Sequence, residues 1–307
     1  MFCASKTVFL KINFTVISLC QCFYETDKTR TANKVKAHNI NSFTNGILKK
    51  FVKREPVTMP KDYQIKDKFA YVMGGGKFGT EALKYLKANG AKVLVADLNP
   101  MCRAKMEINI VTATVDVRSS LKNGQAAFLV GDAVEYLLEI LEADVPDLVV
   151  TAIPSNAVAK VVATWLSKAG YKLEPYQDCI DQVLKNIPES LVSFVNKESA
   201  VIVVSHMPPH MQCIENCMPP KHFCASTGRP KLASMDKLLH FSVYDLTDLS
   251  GILKSEQLTG GLGAIKGSEL FSLLKKLEKH QQESFTLAVG TACDCHGIIN
   301  IFKVTKS

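Results

Sequence analysis

Apolar and polar positions alternate between two periods along this chain, and the changes of period mark its elements. Phe69–Met73 is a short apolar run of strand type, and it leads directly into a glycine stretch. Phe78, Ala82, Leu83 and Leu86 then recur at helical spacing until Asn89-Gly90, a helix-stop signal. Ala91–Ala96 reads as a second strand closed by Asp97, and Ala126–Val130 as a third. Gly131-Asp132 opens a helix through about Glu142, and Pro146–Ile153 is a fourth strand ending at Pro154-Ser155-Asn156. A helix capped by Ser155 follows to Lys168, with Trp165 on it as a core residue. Strands alternating with helices predict a parallel sheet with right-handed crossovers, that is, an α/β protein. Further on, the pattern predicts helices over 176–186 and 188–196, a buried strand Ala200–Ser205, a helix over 268–280 and a strand Ser284–Thr291.

Composition adds a division of the chain. At 47% hydrophobic and 21% charged, the 307 residues are of globular type. The net charge of +8 suggests nucleic acid until it is located. Residues 1–60 hold ten Lys and Arg against three acids, which leaves the remainder nearly neutral and without the basic excess of a nucleic-acid footprint. Residues 1–58 lack sustained periodicity and read as a leader: a disordered arm, or a mis-called start with the working protein beginning at Met59. The alternative is a targeting peptide, weakly supported by the interrupted apolar run Ile12–Phe23. No apolar run approaches 18 residues, so no transmembrane helix is expected and the cytoplasm is the expected location. The domain boundaries read from this are 1–58, 59–205 and 206–307.

The glycine stretch carries specific chemistry. Gly74-Gly75-Gly76-Lys77-Phe78-Gly79 spells G-x-G-x-x-G between a strand and a helix, and Asp97 lies 18 residues past Gly79. In such a loop the first glycine allows a tight turn and the second lets the backbone approach a pyrophosphate. The third lets the helix pack close to the strand, and the helix N-terminus faces the phosphates. Asp97 can accept both adenosine ribose hydroxyls and would repel a 2′-phosphate, so NAD(H) is the expected cofactor over NADP. Cofactor contacts are expected from Gly74, Gly76, Lys77, Phe78, Gly79, Asp97, Gly131 and Asp132. On these features residues 68–168 are a Rossmann-type unit with helices on both faces of the sheet. They resemble the NAD-binding regulatory domain of Trk-type potassium uptake systems and RCK-gated channels, through Gly74–Gly79, Asp97 and the strand followed by Gly131-Asp132-Ala133. The resemblance covers about a third of the chain and implies dinucleotide sensing. It departs in the long segment between Asn99 and Ala126 and throughout the C-terminal half.

That C-terminal half is an extension bearing cysteine and histidine. His206-Met-Pro-Pro-His210-Met-Gln-Cys213 leads to Cys217 and Cys224, spaced C-x3-C-x6-C, and Cys293-Asp-Cys295-His296 follows near the end. Short loops carrying several thiols suit zinc or an iron–sulfur cluster, with Cys213, Cys217, Cys224, Cys293, Cys295 and His296 as candidate ligands. Redox-active thiols are the alternative. Cys102 and Cys179, being isolated, read as structural. His206 and His210 are weak candidates for general acid or base. If Ala200–Ser205 paired beside the fourth strand, His206 would emerge next to the nicotinamide. Leu258–Gly267 is a second glycine-rich loop, which reads either as a flexible connection or as an anion cradle with Lys266. Three functions stay open on the sequence: an oxidoreductase using NAD(H) and a metal or thiol site, a non-catalytic NAD(H)-sensing regulator of the potassium-transport kind, or a scaffold. A dinucleotide and a small molecule are the expected partners, and a homodimer is among the assemblies the sequence allows.

Overall fold

Side chains along a strand point alternately to its two faces, and β1 (Phe69–Met73) is buried on both. Such a strand needs a helix layer on each side. The computed structural model describes residues 64–307 apart from 209, 210, 212, 215 and 216. Within it Phe69, Tyr71 and Met73 share a core with Leu137 and Leu138. These two leucines lie on α2 (Ala133–Ala143). Val72 points the other way, toward α1 (Lys77–Ala88). Tyr71 is fully buried, and its hydroxyl donates to the Ala133 carbonyl at 2.8 Å, so no polar atom is stranded.

β1 pairs in parallel with β2 (Lys92–Asp97) on one side and with β5 (Leu148–Thr151) on the other. β4 (Ala126–Val130) pairs in parallel with β2, and β3 (Ile110–Thr112), which precedes it in the chain, lies at the edge beside it. The long parallel strands thus run β4-β2-β1-β5. This is the third–second–first–fourth order that places a topological switch point between β1 and β5. The expected α/β class is what the structure shows.

Beyond β5, the expected helix start is displaced by one residue. Ser155 sits at a left-handed φ of +69°, and Asn156 is the cap of α3 (Ala157–Lys168), its side chain accepting from Ala159 N–H. Next come β6 (Tyr171–Pro175) and α4 (Gln177–Lys185). The helix expected over 188–196 is a single 3-10 turn, Glu189–Leu191, followed by β7 (Val192–Asn196). Val192, Phe194 and Val195 are β-branched or aromatic, and pairing with β8 (Val201–Ser205) outweighs the local periodicity. The chain continues through α5 (Met235–Val243), β9 (Leu249–Lys254), β10 (Glu256–Thr259), β11 (Leu262–Lys266), α6 (Gly267–Lys279), β12 (Ser284–Ala292) and β13 (His296–Lys306).

β8 lies in a second sheet, ordered β7-β8-β13-β12-β9 with β6 also on β13. It pairs antiparallel with β7 and β13, so the condition that would have set His206 beside the fourth strand is not met. The place beside β5 belongs to β11, antiparallel and backed by β10. The second glycine-rich stretch is therefore a tight β-hairpin. Lys266 is held by Glu269 at 3.0 Å instead of facing an anion.

The second sheet begins at Tyr171 and the first sheet is completed by residues 256–266, so the strands do not divide at residue 205. One core joins α2, α3 and α6 to inner faces of both sheets, and a second packs α4 and α5 on the outer face of the second sheet. Trp165 is half-buried against the first core, with Lys275 Nζ 5.7 Å from its ring centroid. Asn156 is buried, and its Nδ2 reaches Val289 O and Asn300 Oδ1, each at 3.1 Å, tying the β5–α3 turn to β12 and β13. Among the described residues no helix is long and apolar enough to cross a membrane. The leader and His210 lie outside the described residues.

Candidate functional site

Two groups of residues carry chemistry, one at the mouth of each sheet. At the first, β1 ends in Gly74 at φ +93°, a conformation that strains any residue with a Cβ. Gly79 is packed so tightly that an added Cβ would stand 1.8 Å from the Gly74 carbonyl oxygen. Gly76 differs from both. It is exposed at the N-terminal end of α1, and an added Cβ would meet nothing within 4 Å. Lys77 is exposed beside it, its Nζ 5.7 Å from the centroid of the half-buried Phe78 ring.

Asp97 closes β2 next to this loop. Its Oδ2 accepts from Gly75 N–H at 2.6 Å and its Oδ1 from Asn99 N–H at 2.7 Å. The carboxylate thus pins the glycine loop to the end of the neighbouring strand, and each oxygen keeps further lone-pair capacity. Cys102, expected to be merely structural, lies buried over Gly75, where an added Cβ would come within 2.3 Å of its sulfur. Burial and the negative charge of Asp97 raise the Cys102 thiol pKa. Asp132 serves locally: its Oδ1 accepts from Val134 and Glu135 N–H and caps α2. The Cβ position of Gly131 is blocked by Tyr136. Open space therefore lies over Gly76, while Tyr136 covers Gly131 and Asp132 caps α2.

The second group lies where β8, β9 and β12 all finish. β12 and β13 are joined by the turn Cys293–Cys295, closed by Cys293 N–H donating to His296 O at 2.8 Å. Within it Cys295 N–H and His296 N–H both donate to Cys293 Sγ at 3.4 Å. Cys224 lies on a second bend, closed by Cys224 N–H donating to Arg229 O and Gly228 N–H donating to Cys224 O, each at 2.8 Å. Cys213 Sγ lies 3.6 Å from His296 Nε2, and Cys293 Sγ lies 4.0 Å from His296 Nδ1. Cys295 interacts electrostatically with Cys217, Cys224 and Cys293. The two cysteine segments, over 60 residues apart in sequence, thus meet in one group.

Lys231 occupies this group, and nothing in its local sequence marks it. Its Nζ donates to Pro220 O at 2.8 Å, and its charge acts on Cys295. Its charge acts on Cys217, Cys224 and Cys293 as well. Burial pushes the Cys217, Cys293 and Cys295 thiols up. Burial also pushes on Cys224, but the Thr227 and Ser226 donors and the Lys231 charge outweigh it and hold that thiol below its usual value. His206 is buried, donates its backbone N–H to Cys295 O, and places Nε2 3.0 Å from Ala233 O. Burial lowers its pKa, and the ring–carbonyl contact gives it a structural role. Among the described residues no group of three or more His, Cys, Asp or Glu side chains is set to hold a metal ion.

Gln257 on β10 links the first sheet's edge to this group, donating to Cys217 O at 2.9 Å, while Tyr85 on α1 donates to Leu258 O at 2.8 Å.

Comparison with known proteins places these features in a family. A family model described as "Uncharacterized protein, N-terminal domain" (AF_1314_N) matches residues 70–154, and its C-terminal counterpart (AF_1314_C) matches residues 157–305. A protein of Archaeoglobus fulgidus, described as an uncharacterized protein, is 31% identical over 232 residues, covering 76% of this chain and 98% of the relative. The chain belongs to the AF_1314 family. Its two family segments meet at the Pro154–Asn156 turn between β5 and α3, not at residue 205. The glycine loop and Asp97 fall in the N-terminal segment, and every described member of the Cys/His group falls in the C-terminal one.

Proposed function

We propose that this protein binds NAD(H) at the mouth of the first sheet and acts as an oxidoreductase with the Cys/His group as its metal or thiol centre. The observation that carries the reading is the open Cβ position of Gly76 at the start of a twelve-residue helix. A backbone with no side chain and free space above it lets a pyrophosphate approach the helix N-terminus, where N–H groups and a partial positive charge favour it. Asp97 closes the adjacent strand, and that position supports its reading as the acceptor for an adenosine ribose. A bound dinucleotide supplies two-electron redox chemistry. This chain's residues would supply the cradle, the ribose acceptor and, in the C-terminal segment, a set of thiols.

Titration of the full chain with NADH and NADPH, followed by nucleotide fluorescence, tests the reading. NADH should bind more tightly than NADPH. Asp97→Ala should weaken NADH by about 1–3 kcal/mol, the scale of charge-assisted hydrogen bonds, with a smaller loss for NADPH. Equal affinity for the two nucleotides would sink the role given to Asp97. No binding of either at millimolar concentration would sink the nucleotide reading as a whole.

A further inference from the structure

β13 opens at His296, which pairs with Ser205 of β8, so the ladder register fixes where its imidazole stands. The ring lies between two sulfurs. Its Nδ1 faces Cys293 Sγ at 4.0 Å and its Nε2 faces Cys213 Sγ at 3.6 Å. Cys293 Sγ already receives the N–H groups of Cys295 and His296, each at 3.4 Å, so it sits in the turn as an acceptor. A neutral imidazole carries one N–H and one bare nitrogen, and the partner of one nitrogen decides the state of the other. The acceptor at Cys293 takes the N–H at Nδ1. Nε2 is then the bare nitrogen, and it is turned to the Cys213 thiol. A thiol, a base beside it and a third group that orients the base are the parts of an activated nucleophile. Cys213 is exposed, so a reactant can reach its sulfur.

We propose that Cys213 is a nucleophilic thiol for exchange with disulfides, that His296 is its base and that Cys293 is the positioning residue for His296. The Cys213 S–H proton passes to His296 Nε2, and the sulfur attacks one sulfur of the incoming disulfide. A bond forms between Cys213 and that sulfur, the reactant's own S–S bond breaks, and its other half leaves as a thiolate. The imidazolium returns the proton to that thiolate. One disulfide is consumed and one mixed disulfide is formed, so no outside oxidant or reductant enters the step. Exchange between sulfurs develops no charge on oxygen, so a thiol and its base suffice, whereas attack on a carbonyl also needs donors for an oxyanion. This assignment takes the thiol form of the Cys/His centre proposed above and rests on that reading. Its test is run without nucleotide, so it and the NAD(H) reading can each fail alone.

The experiment uses the full chain, reduced and then freed of reductant. Dithionitrobenzoate, an aromatic disulfide, releases a coloured thiolate as it reacts, and oxidised glutathione serves as an aliphatic probe read by mass. Peptide mapping assigns each adduct to its cysteine. At neutral pH Cys213 should react about tenfold faster in the folded chain than in the same chain unfolded in urea, because a free thiol is there only a few per cent thiolate. His296→Gln should remove that advantage. Cys293→Ala should slow Cys213 as well, and Cys293→Ser, which restores an acceptor, should recover part of the rate; lost packing alone would not track the acceptor. Cys102→Ser, at the glycine loop, should leave the rate at Cys213 unchanged. If the His296 variant fails to fold, the folded and unfolded wild-type rates decide. A folded-state rate at Cys213 no higher than the unfolded one would overturn the proposal. So would a folded His296→Gln protein that reacts as fast as wild type, and equal rates in Cys293→Ala and Cys293→Ser would remove the positioning role of Cys293.

Discussion

The mouths of the two sheets are built in opposite ways. At the first, the chain from Gly74 to Asp97 supplies the glycines, the helix start and the carboxylate within one βαβ unit, and most of the working groups are backbone. At the second, side chains do the work, and they come from segments that only β-pairing between β8, β13 and β12 brings together. A backbone site depends on close packing and tolerates no Cβ where the chain is tight. A side-chain site depends on register, because moving β13 by one residue would turn its side chains to the opposite face.

This contrast can be broken most severely at Gly79. Gly79→Val puts a side chain against the Gly74 carbonyl, and a loss of about 3 kcal/mol or more is expected, read by urea or thermal unfolding. A stable Gly79→Val protein would mean that the loop is not held as described. Gly76→Ala sharpens the same point with the opposite balance. With nothing within 4 Å and a φ of −69°, stability should stay within about 0.5 kcal/mol of wild type. NADH affinity should fall about tenfold, equivalent to about 1.4 kcal/mol, because the methyl group takes the space left for the pyrophosphate. Unchanged binding would place the nucleotide elsewhere.

The smallest effect lies at the far end of the second sheet, away from the cysteines. Asp248 Oδ2 accepts from Thr286 N–H and from the Thr286 hydroxyl, each at 2.7 Å, joining the starts of β9 and β12. Those hydrogen bonds, the backbone one foremost, hold the Asp248 carboxyl below its usual range. A depressed folded-state pKa means that the contribution is present above the unfolded value, near about pH 3.9, and is lost as pH falls through the folded value. Asp248→Asn should therefore be slightly less stable than wild type at neutral pH and indistinguishable from it in strong acid. Parallel acid-unfolding curves offset by a constant amount would remove Asp248 from this account.

Legibility in the sequence follows the same division. Strands β1, β2, β4 and β5 and helices α1 and α2 could be read from their alternating strand and helix periods, whereas the three-residue β3, in the long stretch between β2 and β4, could not. The glycine loop could be read because its residues are consecutive. Reading failed where a partner decided. Residues 192–196 have helix-compatible spacing, yet β8 offers them a ladder. The glycines of 258–267 suggest a flexible loop, yet β5 has an open edge that β11 fills. Ser155 is a good cap by type, but Asn156 takes that place because its amide also reaches β12 and β13. Cys102 looks isolated because its neighbour, Gly75, lies 27 positions earlier in the chain.

By itself, then, the sequence determined the local order of elements, the glycine loop with its acid, and the presence of two cysteine segments. Each rests on residues close enough in the chain to interact without help from elsewhere. Only the tertiary structure decided that β8 belongs to a second sheet, that the 256–266 hairpin completes the first, and that Lys231 stands among thiols carried by the C-x3-C-x6-C loop and the C-x-C-H turn. Those outcomes depend on which strand edges find each other. Edge pairing is a contest between distant segments for unsatisfied N–H and C=O groups, which a local pattern of apolar and polar residues does not encode.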